Sequence, residues 1–287
     1  MADDPATTAD DPSTEWPVAA MTTREAIVTG APGWPRPGEQ PAPPTRPVPA
    51  GRGGDQRIPR PFNARPGGPP PWADLPADRR RPTVADVRAA LDALGPARPS
   101  QRELIDGPAR AGGRPSAVLA PLYDDAVGQA HVVLTRRTWG LRTHQGEVSF
   151  PGGRIEPGES AVDGARREAE EEIGLDPAAV EIVGELDHLA TVASGSVIIP
   201  FVGVLPGRPT TRPNPHEVEA VLHVPLAELL DPAVFREERW TFPGGREQPI
   251  TFFELEGDTV WGATAALLRL LLGIATGTLG RGDLDHP

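Results

Sequence analysis

Three glutamates near the middle of the chain have the spacing of a metal site. Glu168, Glu171 and Glu172 stand at i, i+3 and i+4, so a helix brings their carboxylates onto one face. Like charges on one face repel, and a hard divalent cation such as Mg2+ or Mn2+ takes carboxylate oxygen and water as ligands. The spacing therefore predicts that these three glutamates bind Mg2+ or Mn2+.

The surrounding residues predict the helix that this site needs. Over residues 160–173 apolar residues recur at steps of three and four and form one stripe, Val162, Ala165, Ala169 and Ile173. Ser160 is a suitable N-cap, and Gly174 followed by Pro177 is a suitable stop. We expect an amphipathic helix with the carboxylates on its polar face.

Turn residues lie directly before this helix. Residues 150–153 and 156–159, Phe-Pro-Gly-Gly and Glu-Pro-Gly-Glu, predict a tight loop. An acidic run taken alone is usually a solvated helix face, and that alternative is open for residues 168–172. The loop favours a metal site instead, because exposed backbone beside carboxylates suits a metal-bound diphosphate.

The loop and helix together resemble the Nudix box, G-x5-E-x7-R-E-U-x-E-E-x-G-U, in which U is aliphatic. The positions that match are Gly153, Glu159, Arg167, Glu168, Glu171, Glu172, Gly174 and Leu175. Ala169 is small for the first aliphatic position. The resemblance implies a Nudix-type α/β/α sandwich with a mixed β-sheet and metal-dependent hydrolysis of a diphosphate bond.

The resemblance also implies roles for the polar residues. A glutamate would orient or deprotonate the attacking water. Glu171 or Glu172 is the expected base, and Glu217 is an alternative. Arg167 is the third expected catalytic residue, although with Glu159 it would act by holding the loop and the helix in place.

The stretch upstream resembles the coenzyme A pyrophosphatase branch of the Nudix family, L-L-T-x-T-[SA]-x3-R-x3-G-x3-F-P-G-G. Thr135, Arg142, Gly146 and residues 150–153 match this pattern. The departures are Val133, Arg137 and Thr138. The resemblance implies cleavage of coenzyme A or acyl-CoA to 3′,5′-ADP and (acyl-)4′-phosphopantetheine. The expected substrate-binding residues are Arg142, Arg137, Gly146, Phe150, Gly152 and Gly153.

The arginines give this substrate a physical basis, because a guanidinium binds phosphate oxygens through a planar fork. Arg136 and Arg137 are adjacent on a predicted strand and face opposite ways, so at most one easily points into the site. Surface ion pairs of these arginines with Glu147 or Glu185 are the alternative. Two other functions also stay open: hydrolysis of ADP-ribose, a dinucleotide or an oxidised nucleotide, and a catalytically silent ligand-sensing or adaptor role.

Composition excludes several classes of protein. A net charge of −12 over 287 residues argues against nonspecific nucleic-acid binding. With no cysteine, the chain has no disulfide, zinc–thiolate site or cysteine nucleophile. The first residues lack the apolar core of a secretory signal, so we expect a cytoplasmic protein. The apolar run 263–275 is short for a membrane span and contains Arg269.

The distribution of proline suggests the domain boundaries. Residues 1–80 hold about half of the 37 prolines and lack hydrophobic periodicity, which predicts a disordered tail and a weak, proline-directed partner. Trp16, Trp34 and Trp72 would be isolated aromatics or binding anchors in that tail. We expect a linker with a short helix over 81–111, the hydrolase domain over 112–278 and a C-terminal tail over 279–287. The sequence leaves the oligomeric state open.

Hydrophobic patterns predict an α+β fold with one central helix. The expected strands cover 117–123, 131–136, 147–150, 180–186, 197–205, 218–225 and 251–255, with the first two joined as a hairpin. The expected helices cover 84–94, 160–173, 226–230 and 263–275. The second Phe-Pro-Gly-Gly, within 241–245, has no acidic helix after it and predicts only a turn.

Overall fold

The computed structural model describes residues 31–100, 115–140, 144–191 and 197–284. Its helices are α1 (Val84–Ala93), α2 (Ala161–Ile173), α3 (Leu226–Leu229) and α4 (Gly262–Thr276), with 3-10 turns at Ala77–Arg80 and Pro177–Ala179. Its strands are β1 (Arg65–Pro66), β2 (Ser116–Asp124), β3 (Ala130–Arg137), β4 (Val148–Ser149), β5 (Gly152–Arg154), β6 (Glu181–Glu185), β7 (Leu189–Ala190), β8 (Val197–Val204), β9 (Val218–Pro225), β10 (Phe235–Thr241), β11 (Glu247–Glu254) and β12 (Thr259–Trp261).

An eight-stranded mixed sheet forms the centre of the fold. Its order is β4-β3-β2-β8-β6, with β5 paired to β2, β7 to β8 and β9 to β3. Strands β2 and β3 form the predicted antiparallel hairpin, whereas β2 and β8 run parallel. The pairing of β5 with β2 attaches the Gly152–Gly153 loop to the middle of the sheet.

Successive residues of β3 bury their side chains in different cores, as a strand requires. Val133 belongs to the core under α2, together with Ala165, Ala169 and Ile173 of that helix. Val132 and Leu134 belong to the opposite core, which contains residues of α1, α4 and β11. Helices therefore cover both faces of the sheet, and the predicted α/β/α sandwich is confirmed.

Helix α2 begins and ends where the sequence predicts. The Ser160 hydroxyl accepts a hydrogen bond from the Asp163 N–H at 3.2 Å and caps the first turn. Gly174 ends the helix in the left-handed region with φ 66°, and its N–H donates to carbonyls of the last turn. These local caps fix the rotation of the helix and therefore the direction of its carboxylates.

Residues 31–80 are packed against the hydrolase domain, which corrects the predicted disordered tail over this part of the chain. Strand β1 joins a second sheet, β1-β10-β11-β12, that the sequence pattern revealed only at β11. Trp34 is 3% exposed and contacts the rings of Trp240 and Phe242. Trp72 is fully buried and stacks on Phe253. A few large aromatics thus bury this irregular segment without any periodic pattern.

Buried charges join the same segment to the second sheet. Arg60 and Glu238 are almost fully buried, and the Arg60 Nε lies 2.7 Å from Glu238 Oε2. Arg236 bonds both Glu238 and Glu254, and the Trp240 Nε1–H donates to Glu238 Oε2 at 2.8 Å. Glu238 therefore has donors from both the segment and the sheet.

Two further predicted boundaries are corrected by packing. Val87 and Leu91 of α1 are buried in the main core, so this part of the predicted linker belongs to the domain. After α4, Arg281 Nη1 lies 3.1 Å from Asp187 Oδ1 and the Gly282 N–H donates to Asp187 Oδ2 at 2.6 Å. Residues 281–282 of the predicted C-terminal tail are therefore bonded to the domain.

The predicted turn at 241–245 is confirmed between β10 and β11. No helix in the described ranges is long and apolar enough to cross a membrane.

Removing residues 1–80 should lower the melting temperature by at least about 15 °C, because the loss of two buried tryptophans uncovers Trp240 and Phe253. Thermal unfolding followed by circular dichroism measures the change. Removing residues 1–30 is the control, since it keeps each contact described above. Equal melting of the two truncations would show that the packed segment adds nothing to stability.

Replacing Arg60 with alanine should destabilise the fold by about 3–5 kcal/mol, because it leaves Glu238 buried with one fewer cation. The matched control is Arg88→Ala. Arg88 pairs with Glu181 at 2.7 Å on the surface, where solvent screens the charges, so its loss should change stability far less than the loss of Arg60. Urea denaturation gives both values, and similar losses in the two variants would contradict the importance of burial.

Candidate active site

Two glycines bring the backbone of β5 against the acidic helix. A Cβ added to Gly153 would lie 2.4 Å from the Glu168 Cδ, so a side chain there would displace this carboxylate. Gly152 has φ 154°, and a Cβ on it would lie 2.4 Å from the Ala117 carbonyl oxygen of β2. The predicted Gly152–Gly153 pair therefore lets the backbone of β5 lie close to α2 on one side and to β2 on the other.

Arg167 holds the loop and the helix together. Its Nε lies 2.8 Å from Glu159 Oε1, and its Nη2 donates to the Arg154 carbonyl at 3.0 Å. Its Nη1 lies 3.1 Å from both Glu168 Oε1 and Glu171 Oε2. Hydrogen bonding to Arg167 lowers the pKa of Glu159. These contacts agree with a positioning role for Arg167.

Glu172 is the most enclosed carboxylate of the site, at 3% exposure. Its Oε2 accepts a hydrogen bond from the Gly152 N–H at 3.3 Å, and its Oε1 lies 3.7 Å from Arg137 Nη1. Burial raises its pKa to about 7, and Arg137 offsets only part of that cost. Burial likewise raises the pKa of Glu168, and the charge of Glu217 acts on both groups in the same direction.

These carboxylates fit a hard divalent cation by their chemistry. Glu168 and Glu172 are negative groups whose pKa values rise on burial, and a cation would stabilise their charged forms. Among the described residues no three acidic or imidazole groups already converge as a metal cage. Arg167 bonds Glu168 and Glu171, so a cation shared by the three glutamates must compete with this arginine.

Comparison with known proteins identifies the family. The NUDIX domain profile matches residues 113–242. Nudix hydrolase 22, chloroplastic, of Arabidopsis thaliana is 41% identical over 59% of this chain and 57% of that protein. The Nudix hydrolase NudL of Yersinia enterocolitica is 35% identical over 54% of this chain and 78% of that protein. The chain belongs to the Nudix hydrolase family.

Each of these similarities covers only part of this chain and part of the other protein. The chain spans little more than half the length of the Arabidopsis Nudix hydrolase. Among solved structures, a Caenorhabditis elegans Ap4A hydrolase complex is similar over 42% of this chain and 86% of that chain, with 19% identity and a TM-score of 0.36.

The predicted arginines of this Nudix hydrolase have different surroundings. Arg137 faces Glu172, whereas the Arg136 Nη1 lies 3.1 Å from Asp258 Oδ2, so the two diverge as expected. The acidic residues proposed as alternative partners bond histidines, Glu147 with His144 and Glu185 with His188. Arg142 lies outside the described residues.

The predicted contact between Phe150 and the substrate is corrected by the position of its side chain. Its side chain is 3% exposed and packs in the core on the α4 side of the sheet, so the ring cannot meet a ligand at the surface. Gly146 lies in the loop before β4 with φ 65°, and its carbonyl accepts a hydrogen bond from Gln56 Nε2 at 3.1 Å. The buried Phe150 side chain therefore holds the Gly152–Gly153 loop from the α4 side of the sheet.

Sequence reasoning missed three residues near the predicted substrate loop. Gln56 bonds Gly146 and also Asp258, whose Oδ1 lies 2.8 Å from the amide nitrogen. Asp258 in turn holds Arg136. Trp139 packs against Gly146. Only Trp139 had a signal in the sequence, as an aromatic inside the upstream motif, since the other two lie in irregular stretches.

Replacing Glu172 with glutamine should stabilise the metal-free protein above pH 7. The folded pKa of about 7 exceeds the ordinary 4.5, so the folded state binds the extra proton and wild-type stability falls as pH rises from about 4.5 to 7. Glutamine removes this loss, which we estimate at about 1–3 kcal/mol.

Denaturation in a chelator at pH 4.5 and pH 8 measures this effect, with the exposed neighbour Glu170→Gln as the control. The stabilisation should be seen at pH 8 and should be small at pH 4.5. Adding Mg2+ or Mn2+ should stabilise wild type but not Glu172→Gln. A less stable variant at pH 8 would contradict the assigned cost of burial.

Proposed function

We propose that this chain hydrolyses the diphosphate bond of coenzyme A or acyl-CoA, using Mg2+ or Mn2+. The products are 3′,5′-ADP and 4′-phosphopantetheine or its acylated form. The observation that carries the proposal is the position of Glu172. It is buried beside the Gly152 N–H and Arg137, on the same helix as Glu168 and Glu171.

The carboxylates of Glu168, Glu171 and Glu172 would hold the cation. When bound, the cation neutralises the diphosphate and lowers the pKa of a water ligand. Glu171 or Glu172 orients the attacking water and takes its proton, while Glu217 is the alternative base. Water adds to one phosphorus, the bridging P–O bond breaks, and the released phosphate leaves on the other product.

Electrostatics support an anionic substrate at this position. Arg137 is partly exposed, and its Nη1 lies 3.7 Å from Glu172 Oε1, which is longer than a hydrogen bond. The exposed part of this guanidinium would bind a phosphate oxygen. Arg142 is proposed as a second phosphate contact from its place in the upstream motif.

One observation favours a second candidate substrate. Arg137, whose Nη1 lies 3.7 Å from Glu172, stands where the coenzyme A pattern has threonine. The same hydrolytic residues would then act on another nucleoside diphosphate derivative, such as ADP-ribose. The complete set of glutamates favours catalysis over a silent sensing or adaptor role. We also propose a cytoplasmic location, with which the absence of cysteine is compatible.

Incubation with coenzyme A and Mg2+ or Mn2+, followed by mass spectrometry, tests the proposal. We expect 3′,5′-ADP and 4′-phosphopantetheine from wild type. Glu171→Gln should lower kcat by about 10²–10⁴. Glu170→Gln is the matched control, because this exposed neighbour lies outside the predicted ligand face.

ADP-ribose is the comparison substrate. A higher kcat/KM for ADP-ribose than for coenzyme A would keep the diphosphatase chemistry and replace the substrate. Coenzyme A binding without turnover of either compound would support the silent role. Equal losses in Glu170→Gln and Glu171→Gln would remove the special role of the ligand face.

A further inference from the structure

We propose that Trp139 is the surface on which the nucleobase of the substrate stacks. The inference rests on the proposed function, because it takes the diphosphate of a nucleotide to lie at Arg137 and Glu172. Trp139 follows Arg137 by two residues, just beyond the end of β3, and 43% of its surface is exposed. An exposed tryptophan at the rim of an anion site suits a purine, whose flat face is apolar and whose phosphates are not.

The Trp139 ring is held in place by Gly146. A Cβ on Gly146 would lie 2.5 Å from the ring atoms Cη2 and Cζ2, so only glycine lets the ring approach this closely. Gly146 is itself held by Gln56, which donates to its carbonyl and to Asp258. The indole is therefore a fixed part of the wall, which reduces the entropy lost when a base stacks on it.

The backbone before Trp139 is also held in place, by hydrogen bonds to the segment that contains Glu217. The Thr138 N–H donates to the Glu217 carbonyl at 2.9 Å, and its hydroxyl donates to the His216 carbonyl at 3.5 Å. The charge of Glu217 acts on Glu168 and Glu172. The hydrogen bond of Thr138 therefore connects the backbone next to Trp139 to Glu217, whose charge acts on the carboxylate cluster.

The order of groups along the chain matches the order of groups in a nucleotide. Arg137 supplies a partly exposed guanidinium for phosphate, and Trp139 supplies an aromatic surface. Two residues of chain span at most about 7 Å, a distance that a ribose can bridge between a phosphate and its base. Phosphate at Arg137 and base at Trp139 are thus compatible within one nucleotide.

An exposed tryptophan could instead contact another protein, but its surroundings favour a small ligand. In the described part of the chain, the large apolar residues that are exposed are Phe62, Val127 and Trp139. Val127 precedes β3 and Trp139 follows it, and the two ends of this eight-residue strand are about 23 Å apart. Trp139 and Val127 cannot form one contiguous apolar patch of the kind that marks a protein interface.

Titration of the metal-loaded full chain with 3′,5′-ADP and, separately, inorganic diphosphate tests the inference by calorimetry. Trp139→Ala should weaken 3′,5′-ADP binding by about 10- to 100-fold, the range for loss of one stacked base. Trp139→Phe should retain most of the affinity, and neither change should alter diphosphate binding. Phe62→Ala, which removes another exposed aromatic, should bind both ligands as wild type does.

Kinetics with coenzyme A separate this inference from the proposed function. If both hold, Trp139→Ala raises KM and leaves kcat nearly unchanged. Turnover by wild type with an unchanged KM in Trp139→Ala would overturn the stacking role and keep the function. No turnover, together with base-specific loss of 3′,5′-ADP binding, would keep the stacking role and overturn the coenzyme A reaction.

Two further outcomes would overturn the stacking role. One is an equal loss of 3′,5′-ADP and diphosphate binding in Trp139→Ala, which would indicate a general disturbance of the site. The other is a change of oligomeric state by light scattering with nucleotide affinity intact, which would indicate a contact between copies. Melting temperatures of both Trp139 variants exclude simple unfolding as the cause.

Discussion

The structure depends on keeping several carboxylates close together beside a sheet without an equal number of cations. Arg167 offsets three of them, Glu159, Glu168 and Glu171, and so fixes the loop to the helix. Among the residues that the structure describes, Glu172 makes no bond to Arg167 and has one backbone donor and a long contact to Arg137. The remaining charge is the feature that makes the cluster receptive to a cation, at a cost in stability to the protein alone.

This arrangement explains which parts of the site were predictable from the sequence. The helix, its Ser160 cap and its Gly174 stop depend on neighbouring residues, and the structure has all three. The exposure of each glutamate depends on what packs over it. Glu171 is exposed and Glu172 buried, although both lie on the predicted polar face, because β5 covers only one of them. The buried ring of Phe150 is a similar case, since its motif gives no indication of its direction.

The segment 31–80 escaped prediction for a different physical reason. Periodicity detects elements that bury one face repeatedly, whereas this segment is anchored by a few separate groups. Trp34, Trp72 and the Arg60 guanidinium each fill a site on the second sheet, and the prolines between them reduce the entropy of the unfolded chain. A proline-rich composition is thus compatible with disorder and with an irregular packed layer, and partners distant in sequence decide between them.

The packed segment 31–80 also contacts Gly146 in the candidate substrate loop. Gln56 holds both the Gly146 carbonyl and Asp258, and Asp258 holds Arg136 at the end of β3. The contacts from Gln56 to Gly146 to Trp139 therefore run from the packed segment 31–80 to the residues just after β3. The glutamates of α2 that are predicted to be catalytic are positioned by local caps and Arg167, whereas Gly146 and Trp139 are positioned by residues far away in sequence. A domain limited to the matched residues 113–242 would keep the first set of constraints and lose Gln56 and Asp258 from the second.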